Sequence, residues 1–255
     1  MNPKQWISTT EINKLKKSNI HIYRIDTHEF QEKFTDLYNE KFLSKPEIIR
    51  LNKFRFEKDK LAFFTSRFAL RYLCSKYLNS KIQHLEFEIQ EYGKPCLLDD
   101  PDLQFNLSHS GHLIVLAFGL QHPIGVDTEV YDYYIDHLDL AKSVFSKGEI
   151  AQLKSMNHEH IVSGFYNCWS KKESFIKAKG LGLQIPLNQF TVRIFDEGNF
   201  NLSSIQWNEE ETFRWQNFNF PIKENYAAAC SCNREITNIE YYEITPLIFN
   251  KIKKI

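Results

Sequence analysis

The sequence predicts an α/β fold made of two segments, 1–119 and 120–255, joined near residue 120. Three observations predict it. Apolar residues at helical spacing mark one long helix at Asp59–Tyr77 and a second at Ile161–Lys179. A group of short runs with strand character follows each helix. No low-complexity tract or long linker interrupts the 255 residues, which suffice for a packed core. A cleft between two such segments is a natural ligand site.

In chain order, His21–Ile25 reads as a strand and Phe30–Tyr38 as a helix. In the helix Asp59–Tyr77, Leu61, Phe64, Phe68 and Leu73 are placed near helical spacing. Strands are expected at Leu85–Ile89, Pro95–Leu98, Phe105–Leu107, Leu113–Phe118 and Ile124–Glu129. Helices return at Leu138–Phe145, Lys147–Met156 and Ile161–Lys179, the last stopped by Gly180 and Gly182 before Pro186. Strands resume at Phe190–Phe195, Phe200–Ile205, Phe213–Phe218, Tyr226–Cys232 and Ile239–Ile244.

Composition narrows the class. With 42% hydrophobic and 25% charged residues the chain is neither disordered nor a small disulfide scaffold. Five cysteines without a C-x-x-C pair suit reduced, buried thiols. No signal-peptide core or membrane-length run is present, so a cytoplasmic protein without a membrane partner is expected. Lys plus Arg equals Asp plus Glu at 32 each, which argues against a nucleic-acid partner. The zero hides a division: residues 41–81 hold 11 basic and 3 acidic side chains, and residues 82–140 hold 1 and 11. A solvated face would account for this, as would a basic wall for an anionic ligand beside an acidic cluster for a cation.

Four stretches can carry chemistry. In Ile124-Gly125-Val126-Asp127-Thr128-Glu129, a strand puts Asp127 and Glu129 on one face. Such a pair repels itself unless a proton or hard cation intervenes, and the same spacing also suits an exposed strand end. In Trp169-Ser170-Lys171-Lys172-Glu173-Ser174-Phe175-Ile176-Lys177, Glu173 and Lys177 share a helix face, an arrangement that taken alone is more often an ordinary surface pair. Phe105-Asn106-Leu107-Ser108-His109-Ser110-Gly111 ends a strand in a polar turn that could hold phosphate. From the basic stretch Arg50 to Arg71 and the turn Tyr92-Gly93-Lys94-Pro95, Arg50 and Lys94 are the chosen ligand contacts. His158-Glu159-His160 lacks metal spacing and reads as surface.

Together, in this order and spacing, the four motifs resemble the 4′-phosphopantetheinyl transferases, of the surfactin-synthetase-activating (Sfp) type, from about Arg50 to Cys230. The resemblance implies a monomer of two similar α/β lobes related by a pseudo-twofold axis, with coenzyme A between them. It implies transfer of the phosphopantetheine arm to a serine of an apo acyl or peptidyl carrier protein, releasing adenosine 3′,5′-bisphosphate. This is the reaction of holo-acyl-carrier-protein synthases, serving fatty-acid, polyketide or nonribosomal-peptide carriers. Asp127, Glu129 and Glu173 would hold Mg²⁺, with Mn²⁺ as a substitute, against the pyrophosphate. Glu173, directly or through a metal-bound water, would take the serine proton, and Lys177 would offset pyrophosphate charge. Arg50, Lys94, Ser108 and His109 would bind the coenzyme's phosphates, with Asp127 and Lys177 also reaching it. Trp169 is expected beneath the helix. Two departures stand out: Lys60 is the sole base in Asp59–Phe63, where relatives carry more arginine, and residues 1–40 match nothing in the pattern. The alternative is a coenzyme-A- or carrier-binding module without catalysis, whose signature would be a lost acid or a lost Lys177.

Overall fold

A computed structural model describes residues 6–8, 11–31, 40–195, 202 and 204–248. It opens with β1 (Ile7–Ser8), β2 (Asn19–Asp26) and a single turn, α1 (His28–Gln31). Two helices follow, α2 (Lys45–Leu51) and α3 (Glu57–Tyr77). The strands β3 (Phe87–Ile89), β4 (Pro95–Leu97), β5 (Leu103–Ser110), β6 (Leu113–Leu120) and β7 (Gly125–Val130) come next. Then come α4 (His137–Val144), α5 (Lys147–Lys154) and α6 (His158–Lys179). The chain continues through β8 (Phe190–Thr191), β9 (Ser204–Ile205), α7 (Glu211–Arg214), β10 (Trp215–Asn219), β11 (Tyr226–Asn233) and β12 (Asn238–Glu243).

The mixed α/β architecture matches the sequence expectation, and the alternation of side chains along the strands builds it in layers. One sheet has the order β1-β12-β2-β6-β5, another β10-β11-β7. On β2 and β6, Tyr23, Ile25, Ile114, Leu116 and Phe118 pack against Leu61, Phe64 and Phe68 of α3. The alternate residues Ile20, Ile22, Val115 and Ala117 meet Val126, Phe218, Ala228 and Cys230 of the second sheet. The outer face of that sheet, with Trp215 and Ala227, receives Phe165, Phe175 and Ile176 of α6. Helix, sheet, sheet and helix thus stack in that order.

The last strand, β12, runs parallel to β2, so the chain after residue 120 completes the sheet formed by the chain before it. The five cysteines are free, four of them buried.

Several boundaries differ from the sequence reading for identifiable reasons. Helix α2, not foreseen, starts at a capping box in which Ser44 and Glu47 exchange side-chain bonds, with Pro46 in its first turn. The expected helix Phe30–Tyr38 is described only as far as Gln31, within α1, and residues 32–39 lie outside the described residues. The expected strand Phe190–Phe195 pairs only at Phe190 and Thr191, because the Val192 N–H donates to the Glu149 carboxylate at 2.7 Å instead. Of Phe200–Ile205, Ser204–Ile205 forms β9, while residues 200, 201 and 203 lie outside the described residues. Where a strand was expected from Phe213, the turn α7 comes first, held by Glu211 to Lys179 at 2.8 Å and to the Trp215 indole at 3.0 Å.

Candidate active site

Strand β7 lies between two neighbours that fix its direction. On one side β11 pairs with it, placing Ala229 opposite Asp127 and Ala227 opposite Glu129. On the other side β5 reaches it by side chains, and the period of two along β5 supplies three of them. The Asn106 side-chain oxygen accepts from Val126 N at 2.9 Å. The Ser108 hydroxyl donates to Asp127 Oδ1 at 2.9 Å. The Ser110 hydroxyl donates to Glu129 Oε2 at 2.9 Å and accepts from Val130 N at 3.1 Å.

Helix α6 crosses the start of β7 so closely that a Cβ on Gly125 would collide with the Ser174 carbonyl oxygen and the Ala178 nitrogen. The glycine therefore permits the contact that brings Glu173 and Lys177 to Asp127. Below the helix, the Lys172 ammonium meets Glu149 Oε1 at 2.8 Å with both side chains fully buried, and also donates to the carbonyls of Leu187 and Phe190, each at 2.7 Å. Glu149 also accepts from Ser146 N, completing a capping box. The Ser-x-x-Glu signature of that box was visible in the sequence; its burial against Lys172 was not.

Asp127 is the centre of the carboxylates. It is 2% exposed, and its Oδ1 accepts from Lys177 Nζ at 2.6 Å as well as from Ser108. Lys177 also donates to Ser108 Oγ at 2.9 Å. Asp127 Oδ2 is buried with no hydrogen-bond partner. Burial, followed by the Asp127 charge, pushes the Glu129 carboxyl above its ordinary range, with the Ser110, Lys177 and Trp169 interactions opposing. The Trp169 indole packs along Phe165, with ring centres 6.3 Å apart. Glu173 is raised by the same two causes, opposed by Lys177. A buried carboxylate oxygen without a donor, flanked by two carboxyls whose ionisation is suppressed, has the chemistry of a cation site. An all-oxygen set of this kind fits a hard divalent ion that keeps water in its shell.

A basic cavity of about 830 Å³ opens on the other face of β5. Arg50, Phe63, Arg67 and His109 line it, and the Arg50 and Arg67 guanidinium carbons lie 5.4 and 5.5 Å from the Phe63 ring centre. Neither guanidinium has an ion-pair partner among the described residues. A second cavity of about 520 Å³ shares these three residues and extends to Pro95. His109 is drawn below its ordinary pKa by burial and then by Lys177, Arg67 and Arg50.

The structure therefore gathers Ser108, Asp127, Glu129, Glu173 and Lys177, and sets Arg50 and His109 in the cavity beside them. Lys94 stands apart: its ammonium donates to the Ile124 carbonyl at 3.0 Å and the Ala178 carbonyl at 3.3 Å, and burial brings its pKa down to about 8. It ties the start of β7 to the end of α6. The sequence reading passed over Arg67, Ser110, Asn106 and Glu149. Arg67 was one base among many on its helix, and only tertiary packing singles it out.

Known proteins resemble this chain along most of its length. The family model for the 4′-phosphopantetheinyl transferase superfamily matches residues 123–231, and that for the N-terminal part of 4′-phosphopantetheinyl transferases matches residues 31–120. The chain is 36% identical to 4′-phosphopantetheinyl transferase Sfp of Bacillus subtilis, over 63% of this chain and 70% of that protein. It is 31% identical to 4′-phosphopantetheinyl transferase HetI of Nostoc sp., over 70% and 76% respectively. It is 33% identical to the L-aminoadipate-semialdehyde dehydrogenase-phosphopantetheinyl transferase of Mus musculus, over 52% and 47%. The strand of Asp127, the helix of Glu173 and the cavity residues Arg50, Phe63, Arg67 and His109 lie within the matched residues, and the chain belongs to the 4′-phosphopantetheinyl transferase superfamily.

Proposed function

We propose that the chain transfers the phosphopantetheine arm of coenzyme A to a serine of an apo acyl or peptidyl carrier protein, releasing adenosine 3′,5′-bisphosphate, as a transferase of the Sfp type. One observation carries the reading: the buried Asp127 carboxylate, with one oxygen held by Lys177 and Ser108 and the other unpartnered. Asp127, Glu129 and Glu173 would hold Mg²⁺, or Mn²⁺ in its place. When bound, the ion neutralises pyrophosphate charge and polarises the attacked phosphorus.

The protein's own groups do the rest by positioning and charge. The serine oxygen bonds to the phosphorus as the bond to the bisphosphate breaks, and Glu173 takes the serine proton. It does so directly or through a metal-bound water. Lys177 offsets charge on the pyrophosphate while holding Asp127 in place. His109 donates a hydrogen bond to the coenzyme's phosphates, and Arg50 and Arg67, both close to the Phe63 ring, bind them. Ser108 aligns Asp127 and Lys177, and Lys94 serves the coenzyme site through the junction it ties. The reading extends to two lobes, 1–119 and 120–255, with β12 exchanged into the first, and to a cytoplasmic monomer that takes no nucleic-acid partner.

Incubation with coenzyme A, Mg²⁺ and an apo carrier tests this. The carrier should gain the mass of one phosphopantetheine group, and Glu173→Gln should lower the rate by about 10²-fold or more while leaving the fold intact. Coenzyme A binding without transfer to any of several carriers would instead indicate a module without catalysis. Release of the bisphosphate without a carrier would indicate a hydrolase.

A further inference from the structure

A second group of metal-ligating side chains lies outside the carboxylates around Asp127. Asp26 ends β2, His28 opens α1, and His112 occupies the turn between β5 and β6. One ligand atom of each lies within 4.8 Å of the others, the one such group of three among the described residues. His28 and His112 also line the large basic cavity.

The backbone around them is fixed. Thr27 N and Oγ1 both donate to the His112 carbonyl, at 2.8 and 3.0 Å. Gly111, at φ 55°, leaves room for the Tyr226 hydroxyl where a Cβ would stand. That hydroxyl lies 3.0 Å from His112 Nδ1, and Lys223 Nζ lies 2.9 Å from His112 Nε2. An ammonium can only donate, so Nε2 is the unprotonated nitrogen and Nδ1–H points to Tyr226. This is the arrangement of a metal-binding imidazole, its far nitrogen held by a hydrogen bond.

The same ammonium is 2.7 Å from Asp26 Oδ2, which lies 3.8 Å from His112 Nε2. A positive charge therefore already sits between a carboxylate and an imidazole lone pair. It is carried by a long side chain, 43% exposed, that can swing into solvent. His28, 67% exposed, stacks on His112 at 4.3 Å between ring centres, with Nδ1 3.8 Å from Asp26 Oδ1. Its Nδ1 therefore already stands beside the carboxylate that Lys223 holds.

We propose that Asp26, His28 and His112 form a site for a zinc-class divalent ion, with Lys223 as the resident counter-charge that the metal displaces. Two imidazoles and one carboxylate suit Zn²⁺, Co²⁺ or Ni²⁺ and not Mg²⁺, which prefers oxygen. The site thus differs in chemistry from the carboxylate group, while His28 and His112 share the basic cavity with Arg50, Arg67 and His109. An ammonium offers one charge and accepts no lone pair, so a divalent ion gains on both counts when it replaces Lys223.

The test is titration of the full-length chain with Co²⁺ in excess Mg²⁺, followed by visible absorption, with circular dichroism confirming the fold of each variant. A single saturable band is expected. It should weaken at least about tenfold in affinity in His28→Ala and in His112→Ala, tighten in Lys223→Met, and persist in Asp127→Asn. Absence of a saturable band, a band unchanged in both histidine variants, an affinity unchanged in Lys223→Met, or loss of the band in Asp127→Asn would overturn the proposal.

Discussion

Arg67 and Arg50 both lie close to the Phe63 ring, and both face the cavity without an ion-pair partner among the described residues. Two uncompensated guanidiniums held by a ring are suited to a phosphate-rich ligand. Arg67→Ala is expected to raise the KM for coenzyme A by roughly 10- to 100-fold with little change in kcat, the range of one charged hydrogen bond. Steady-state kinetics with varied coenzyme A check this, and an unchanged KM would remove Arg67 from the site. Lys94 makes a different prediction. Burial lowers its pKa to about 8 from 10.5, so between those values the folded chain binds fewer protons than the unfolded one. Stability through this group is therefore lowest below about pH 8 and rises as pH climbs toward 10.5. Relative to Lys94→Met, the wild type should gain roughly 1 kcal/mol between pH 8 and 9, read from urea unfolding at each pH. At this scale spacings of two on a strand and four on a helix paired Asp127 with Glu129 and Glu173 with Lys177, but only the ordered motifs and the resemblance they carry set those pairs apart from ordinary surface charges. Arg67 was not, because the sequence alone does not say which of 11 basic residues between 41 and 81 faces the cavity.

The elements matter through one contact, that of α6 on β7. Gly125 allows the Ser174 and Ala178 backbone to approach, and Glu149 with Lys172 anchors the helix from beneath. Gly125→Ala should destabilise the fold by about 3 kcal/mol or more, since backbone rather than a movable side chain blocks the added carbon. Glu149→Ala should cost about 3–5 kcal/mol by leaving a buried ammonium unpaired. Chemical denaturation measures both, and a loss below 1 kcal/mol in either would show that the helix does not depend on that contact. Helix α6 and strand β7 were located in the sequence nearly to their ends by apolar period and glycine stops. The strand after Phe190 was overextended because Val192, apolar and β-branched, gives its N–H to a distant carboxylate rather than to a ladder. Local pattern records the preference of a residue and not the competitor that captures its hydrogen bond.

At the scale of the whole molecule, the two sheets face each other and the helices α3 and α6 cover their outer sides. The α/β class and the order of elements were readable, but the return of β12 to pair with β2 was not, because strand neighbours are chosen by long-range closure. The same closure assembles Asp26, His28, His112 and Lys223 from three distant parts of the chain, which no motif announces. It also sets the basic cavity on one side of β5 and the carboxylates on the other, with His109 and Ser108, adjacent in sequence, facing each in turn. That division places phosphate binding beside metal binding across a single strand. The most direct test of the account is the intact mass of an apo carrier protein after incubation with the purified chain, coenzyme A and Mg²⁺. The account predicts a gain of one phosphopantetheine group, lost with Glu173→Gln. Full transfer by that variant would contradict the role assigned to the carboxylates, and no transfer by the wild type to any carrier would contradict the reaction itself.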